Sequence, residues 1–113
     1  MNKEKLIAAG IDYNEGVARF SDHAMLYEKY LGKFLQSPLM EQLEQQLTKG
    51  AISEAFHTAH DLKGASGNLS MNAYYEKICE LTECLRHGDN NYTPIFTQLK
   101  KLYAAIKEAA EEA

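Results

Sequence analysis

Leu39, Leu43 and Leu47 recur at every fourth position in a stretch otherwise built mainly of Glu and Gln. That is the spacing of one apolar face on a helix. Leu26, Tyr30 and Phe34 repeat it. Further on, Ala51, Ala55, Leu62 and Leu69 fall on one side of a helical wheel, flanked by Ile52, Ala59 and Ser66. Read this way, the chain predicts helices over about 3–9, 14–20, 22–36, 38–49, 51–69, 72–87 and 93–111. No useful stretch alternates with period two, and no Asn-Gly or Asp-Gly hairpin signal occurs.

The breaks agree with the periods. Ser37–Pro38 and Thr93–Pro94 each read as an N-cap followed by proline in the first turn. Gly50 and Gly88 follow polar ends, as helix-stopping glycines do. The last three helices are long and joined by short connections, which makes neighbours antiparallel. The expected fold is all-α: an up-and-down antiparallel four-helix bundle with additional short N-terminal helices, one domain across residues 1–113. The tail "KEAAEEA" reads as a fraying helix end.

Composition narrows the function. Hydrophobic residues make up 45% of the 113, enough for one continuous core. A formal charge of −4 and a pI near 5.5 argue against nucleic acid as a partner, because phosphate backbones want a basic face. No apolar run approaches the roughly 18 residues of a membrane span. The start, "MNKEKLIAAG", is too short and broken for a signal peptide. Cys79 and Cys84 lie five apart and point in different directions on one helix, so no local disulfide is expected. The expectation is a soluble cytoplasmic monomer without nucleic-acid or membrane contacts.

The chemistry sits in "AHDLKGASGN", where Gly64 and Gly67 interrupt a predicted helix just after His60 and Lys63. Each interior glycine costs about 1 kcal/mol relative to alanine. On the wheel His60 lies opposite the buried stripe. Ser53, His57, Gly64 and Gly67 share its face, with Phe56 and Lys63 at one edge. Glycines one and two turns along clear the ground beside the imidazole, so another macromolecule can approach it. An imidazole is a nucleophile in its neutral form and is substantially neutral near pH 7. Lys63 places a positive charge near any anion on His60. These residues fit reversible phosphorylation of His60. "LKGASG" lacks the GxxxxGK[ST] spacing of an ATP-binding loop, so the phosphoryl group would come from and leave to another protein.

Plainer readings stand beside this one. Lys63 could be simply solvated, and Gly64 or Gly67 could serve close helix packing. Phe56 fits either core or docking surface. His57 and His60, three apart, could also ligate a metal, although Asp61 points away and no second ligand pair is evident. His23 and His87 read as surface residues, and the seven tyrosines as core edges.

"HDLKGASGNLS", from His60 to Ser70, resembles the histidine-containing phosphotransfer family, whose pattern is His-x-Leu-Lys-Gly followed by small residues and Leu-Gly. "AGIDYNEGVARFSDHAMLYEKYLGKF" and "YYEKICELTECLRHGD" resemble the segments that flank this motif. The resemblance covers nearly the whole chain and implies a four-helix bundle with an exposed histidine. His60 would accept a phosphoryl group from a receiver-domain aspartate, or a kinase, and pass it to a response-regulator aspartate. Lys63 would stabilise the phosphoryl group and Gly64 give steric access. Ser53, Phe56, His57 and Gly67 would serve docking. Partners would be the receiver domain of a hybrid histidine kinase, a response regulator, or both. The chain would be a phosphocarrier with no cofactor of its own, and Mg²⁺ would belong to the receiver. The initial Met1 and the length of the match favour a free-standing protein. Two positions depart from the pattern: Ser70 stands where the family usually has Gly, and Thr82 where a Gln or Glu often orients the histidine. The alternative is an interaction module that binds receivers without being phosphorylated.

Overall fold

Asn2 and Asp12 open the first two helices with their side chains, accepting the backbone N–H of Lys5 at 3.0 Å and of Glu15 at 3.1 Å. The computed structural model describes residues 1–112. Within them the order is α1 (Lys3–Ala8), α2 (Tyr13–Arg19), α3 (Ala24–Gln36), α4 (Leu39–Thr48), α5 (Ile52–Asn68), α6 (Asn72–Arg86) and α7 (Thr93–Glu111). The seven predicted helices match these in order, with no end displaced by more than two residues.

The capping expectations hold in part. Pro38, expected inside the first turn of α4, takes the N-cap position instead, and Ser37 stands one residue further out, where its Oγ still accepts the Leu39 N–H at 3.2 Å. At α7 the bounds agree, but the cap does not fall where expected. Thr93 is already helical, Tyr92 precedes it, and Thr93 makes no side-chain cap. Gly50 and Gly88 take left-handed φ values of +72° and +70° and end α4 and α6.

α3 and α4, broken at Ser37–Pro38, act as one bundle member. Tyr27 near the start of α3 reaches Leu69 at the end of α5, and Leu47 near the end of α4 meets Tyr92 at the start of α7. Between them Tyr103 of α7 donates to the Leu35 carbonyl at 2.8 Å. This pair of helices therefore runs antiparallel to both α5 and α7. With α6 between them, the bundle is up-and-down, as expected. α1 packs on the far end of α7, where Asn2 N–H donates to the Ala109 carbonyl at 3.0 Å and Leu6 is fully buried.

The buried stripe of α3 differs from the one the four-residue spacing suggests. Tyr27, Leu31, Phe34 and Leu35 are inside, while Leu26 and Tyr30 are exposed. A row of every fourth residue drifts around a helix of 3.6 residues per turn, and only Phe34 of that row reaches the core. On α5 the predicted stripe stands: Ala55, Ala59, Leu62 and Ser66 are buried, joined by Thr58. Tyr75, Tyr92 and Tyr103 are half-buried at the core's edge, whereas Tyr13, Tyr27 and Tyr74 lie deeper. Tyr27 and Tyr74 are fully buried, and Tyr30 alone is exposed. Cys79 and Cys84 are free and half-buried, and among the described residues no helix is long and apolar enough to cross a membrane.

Tyr27 closes the lower core. Its hydroxyl donates to the Leu69 carbonyl at 2.7 Å. Its ring meets Tyr13 and Phe20 edge-on, with centroids at 5.5 and 5.7 Å. Gly16 is bare because this ring occupies its side-chain space: a Cβ there would come within 2.3 Å of Tyr27 Cε1. Removing the hydroxyl orphans a buried carbonyl, so Tyr27→Phe is expected to lose about 1–2 kcal/mol in denaturant unfolding. Burial also raises the pKa of Tyr27 and Tyr74. Above the ordinary tyrosine pKa of about 10 the unfolded chain then binds fewer protons than the folded one. Stability should hold below that pH and fall as pH rises past it, which an alkaline series of thermal melts would read.

Candidate functional site

The face of α5 opposite its buried stripe carries His57, His60 and Gly64, all exposed. His60 stands out from the bundle as the wheel places it, and Lys63, half-buried, lies one turn along. At Gly64 a Cβ would meet nothing within 4 Å, so its bareness serves no contact inside the protein. Gly67 is different. A Cβ there would come within 3.1 Å of Tyr75 Cε2, so its missing side chain makes room for a ring of α6. The helix-packing reading therefore describes Gly67, and the open-surface reading describes Gly64.

His60, Lys63, Gly64, Gly67 and Asn68 of α5 form one wall of a depression of about 480 Å³. α6 contributes Asn72 and Tyr75, and α2 contributes Glu15 and Arg19. Two cations and one carboxylate thus face the space beside the imidazole. The Glu15 carboxylate accepts from Arg19 Nη2 at 3.3 Å and from Ser70 Oγ at 2.9 Å through the same oxygen.

Ser53, Phe56 and His57 line other ground. Ser53 is exposed two turns before His60. Phe56 is half-buried and packs against the core, and it also touches the site. Its ring meets His60 at 6.3 Å and His57 at 5.7 Å between centroids, both edge-on. The Arg86 guanidinium sits 5.8 Å from its centroid. Phe56 is thus both core and site wall. His57 and His60 flank this ring. Among the described residues no group of three or more His, Cys, Asp or Glu side chains is placed to hold a metal.

The two departures resolve separately. Thr82 is fully buried and its hydroxyl donates to the Ile78 carbonyl at 2.7 Å, so it is committed to its own helix. Ser70 adopts φ +52° in the turn between α5 and α6, the left-handed conformation glycine favours. Its bond to Glu15 helps hold that geometry, and its carbonyl accepts the Asp12 N–H at 2.9 Å.

Sequence reasoning missed Glu15, Arg19, Tyr75 and Arg86. The i,i+4 spacing of Glu15 and Arg19 marks a helix pair, but nothing local connects it to a histidine some forty residues away. Arg86 and Tyr75 were visible only as positions on the helix after the motif.

A family model described as Hpt domain matches residues 29–109, well over half of the chain, and spans α4 to α6 together with most of α3 and α7. Comparison with curated proteins and with solved structures returned no match. Glu15 and Arg19 fall outside the matched segment. The helical bundle, the exposed histidine of the His-x-Leu-Lys-Gly pattern and this match agree, and the chain belongs to the Hpt family of histidine phosphotransfer domains, helical bundles of phosphorelay signalling that interact with receiver domains.

Proposed function

We propose that His60 accepts a phosphoryl group from the aspartyl phosphate of a receiver domain, or from a kinase, and passes it to a response-regulator aspartate. The observation that carries this reading is the open ground beside the ring: His60 and Gly64 are exposed, with no atom near a Cβ at position 64. In the transfer a neutral ring nitrogen attacks phosphorus. The N–P bond forms, the acyl O–P bond breaks, and its electron pair stays on the aspartate carboxylate. The reverse step restores the acyl phosphate on the acceptor. A neutral imidazole needs no general base.

Lys63 neutralises charge on the moving phosphoryl group as a flexible point cation. The receiver supplies Mg²⁺ and most of the remaining charge stabilisation, so this chain acts as a phosphocarrier without an ATP site or cofactor. Phe56 offers an apolar shoulder, and Ser53, His57 and the rim at Gly67 extend the surface on which a receiver seats.

Incubation with a phosphorylated receiver should label the chain in an acid-labile, base-stable form, and His60→Gln should abolish the label. Binding without label in the unaltered protein would favour the interaction-module reading instead. Gly64 separates stability from access. Gly64→Ala fills open space on a helix and should raise stability by about 1 kcal/mol in denaturant unfolding. Gly64→Gln should keep the fold yet slow transfer by up to about 100-fold, since a displacement near 1 Å is enough for that. Transfer at the normal rate in Gly64→Gln would refute the access role.

A further inference from the structure

The depression beside His60 holds a cation from outside the phosphotransfer motif. Arg19 lies in the last turn of α2 and lines the same space as His60 and Lys63. Its side chain is 51% exposed, and its bond to Glu15 is long for a charge-assisted pair, at 3.3 Å. Glu15 is fixed more firmly from the other side, by the Ser70 hydroxyl at 2.9 Å. The carboxylate is therefore anchored to the α5–α6 turn, and the guanidinium rests on it loosely.

A phosphoryl group on His60 would bring close to two negative charges into this space. The charged and titratable groups that line it with His60 are Glu15, Arg19, Lys63 and Tyr75. The new charge repels Glu15 and attracts Arg19. The guanidinium fork matches phosphoryl oxygens geometrically, which an ammonium does not. Both arms can face the phosphoryl group once the bond to Glu15 is released.

We propose that Arg19 is a second phosphoryl-binding cation of this site, held on Glu15 while His60 is bare and turned to the phosphoryl group once His60 carries one. This rests on His60 being the acceptor. It adds a contact from α2, a helix outside the segment that the Hpt family model matches. Lys63 and Arg19 then hold the phosphoryl group from two helices, before any receiver binds.

The test needs no partner protein. Phosphoramidate phosphorylates an accessible imidazole directly: a ring nitrogen attacks phosphorus, the N–P bond to histidine forms, and the donor's P–N bond breaks as ammonia leaves with its electron pair. A ³¹P NMR titration of the phosphorylated full-length chain then reads the acidity of the phosphoryl group. Arg19→Gln should lower its acid dissociation constant about threefold, the scale of one exposed ion pair. Arg19→Lys, which keeps the charge, should restore most of that loss. Lys100→Gln removes the same charge where α4 and α7 meet, beside Glu44, and should leave the titration unchanged. Thermal melts of each variant would verify the fold. An Arg19→Gln titration that overlays the unaltered protein, or Lys100→Gln, would overturn the role of Arg19. Absence of any phosphohistidine signal from the unaltered protein would overturn the reading of His60 itself.

Discussion

The turn between α5 and α6 is the joint on which the site depends. Four hydrogen bonds tie it to the N-terminal third of the chain. Tyr27 Oη donates to Leu69, Asp12 N–H to the Ser70 carbonyl, Ala73 N–H to Gly10, and Ser70 Oγ to Glu15. Gly10 lets the backbones meet this closely, since a Cβ there would lie 2.3 Å from the Ala73 Cβ. The bonds at Asp12 and Glu15 hold α2 against this turn, and that is how a residue near position 19 comes to line the same depression as one at position 60. A helix of seven residues would not hold that placement alone, because isolated short helices are marginal in water.

A single helix here satisfies two opposed demands. Toward the core, α5 needs small and apolar groups, and Ala55, Ala59, Leu62 and Ser66 let α4 and α6 pack closely. Toward solvent it needs an unobstructed ring. Gly64 meets the second demand, and Gly67 meets a demand of the first kind on the same face by admitting Tyr75. Two glycines three residues apart thus have different physical causes. Tyr75, seated over Gly67, becomes a wall of the depression that Gly64 leaves open.

Much of this was legible in the chain because helical periodicity and helix breaks are local. Seven helices in order, the α5 stripe, the outward direction of His60 and the stops at Gly50 and Gly88 all follow from residues within a turn or two of each other. The α3 stripe was misread because Leu26, Tyr30 and Phe34 follow one row of a helix rather than its buried face. Tyr30 remains outside, its ring against Phe20 at 5.4 Å. What lay beyond reach was contact between elements distant in sequence. No local pattern says that Glu15 meets the α5–α6 turn, that Arg19 lines the space beside His60, or that Arg86 caps the ring of Phe56.

Ser70 shows how a departure from a family pattern can carry information that the pattern does not. Glycine would occupy φ +52° without strain, whereas a serine there gives up roughly 1 kcal/mol. The serine returns a hydroxyl that glycine lacks, and that hydroxyl goes to Glu15. The carboxylate so anchored is the one on which Arg19 rests. The strain in the turn is thus coupled, through one oxygen of Glu15, to the cation beside His60. A glycine at position 70 would leave the Glu15 carboxylate held by Arg19 alone, and carboxylate and guanidinium would then pair more tightly. The serine weakens that pair, and a weaker pair is what a guanidinium must have if it is to leave its carboxylate for a phosphoryl group.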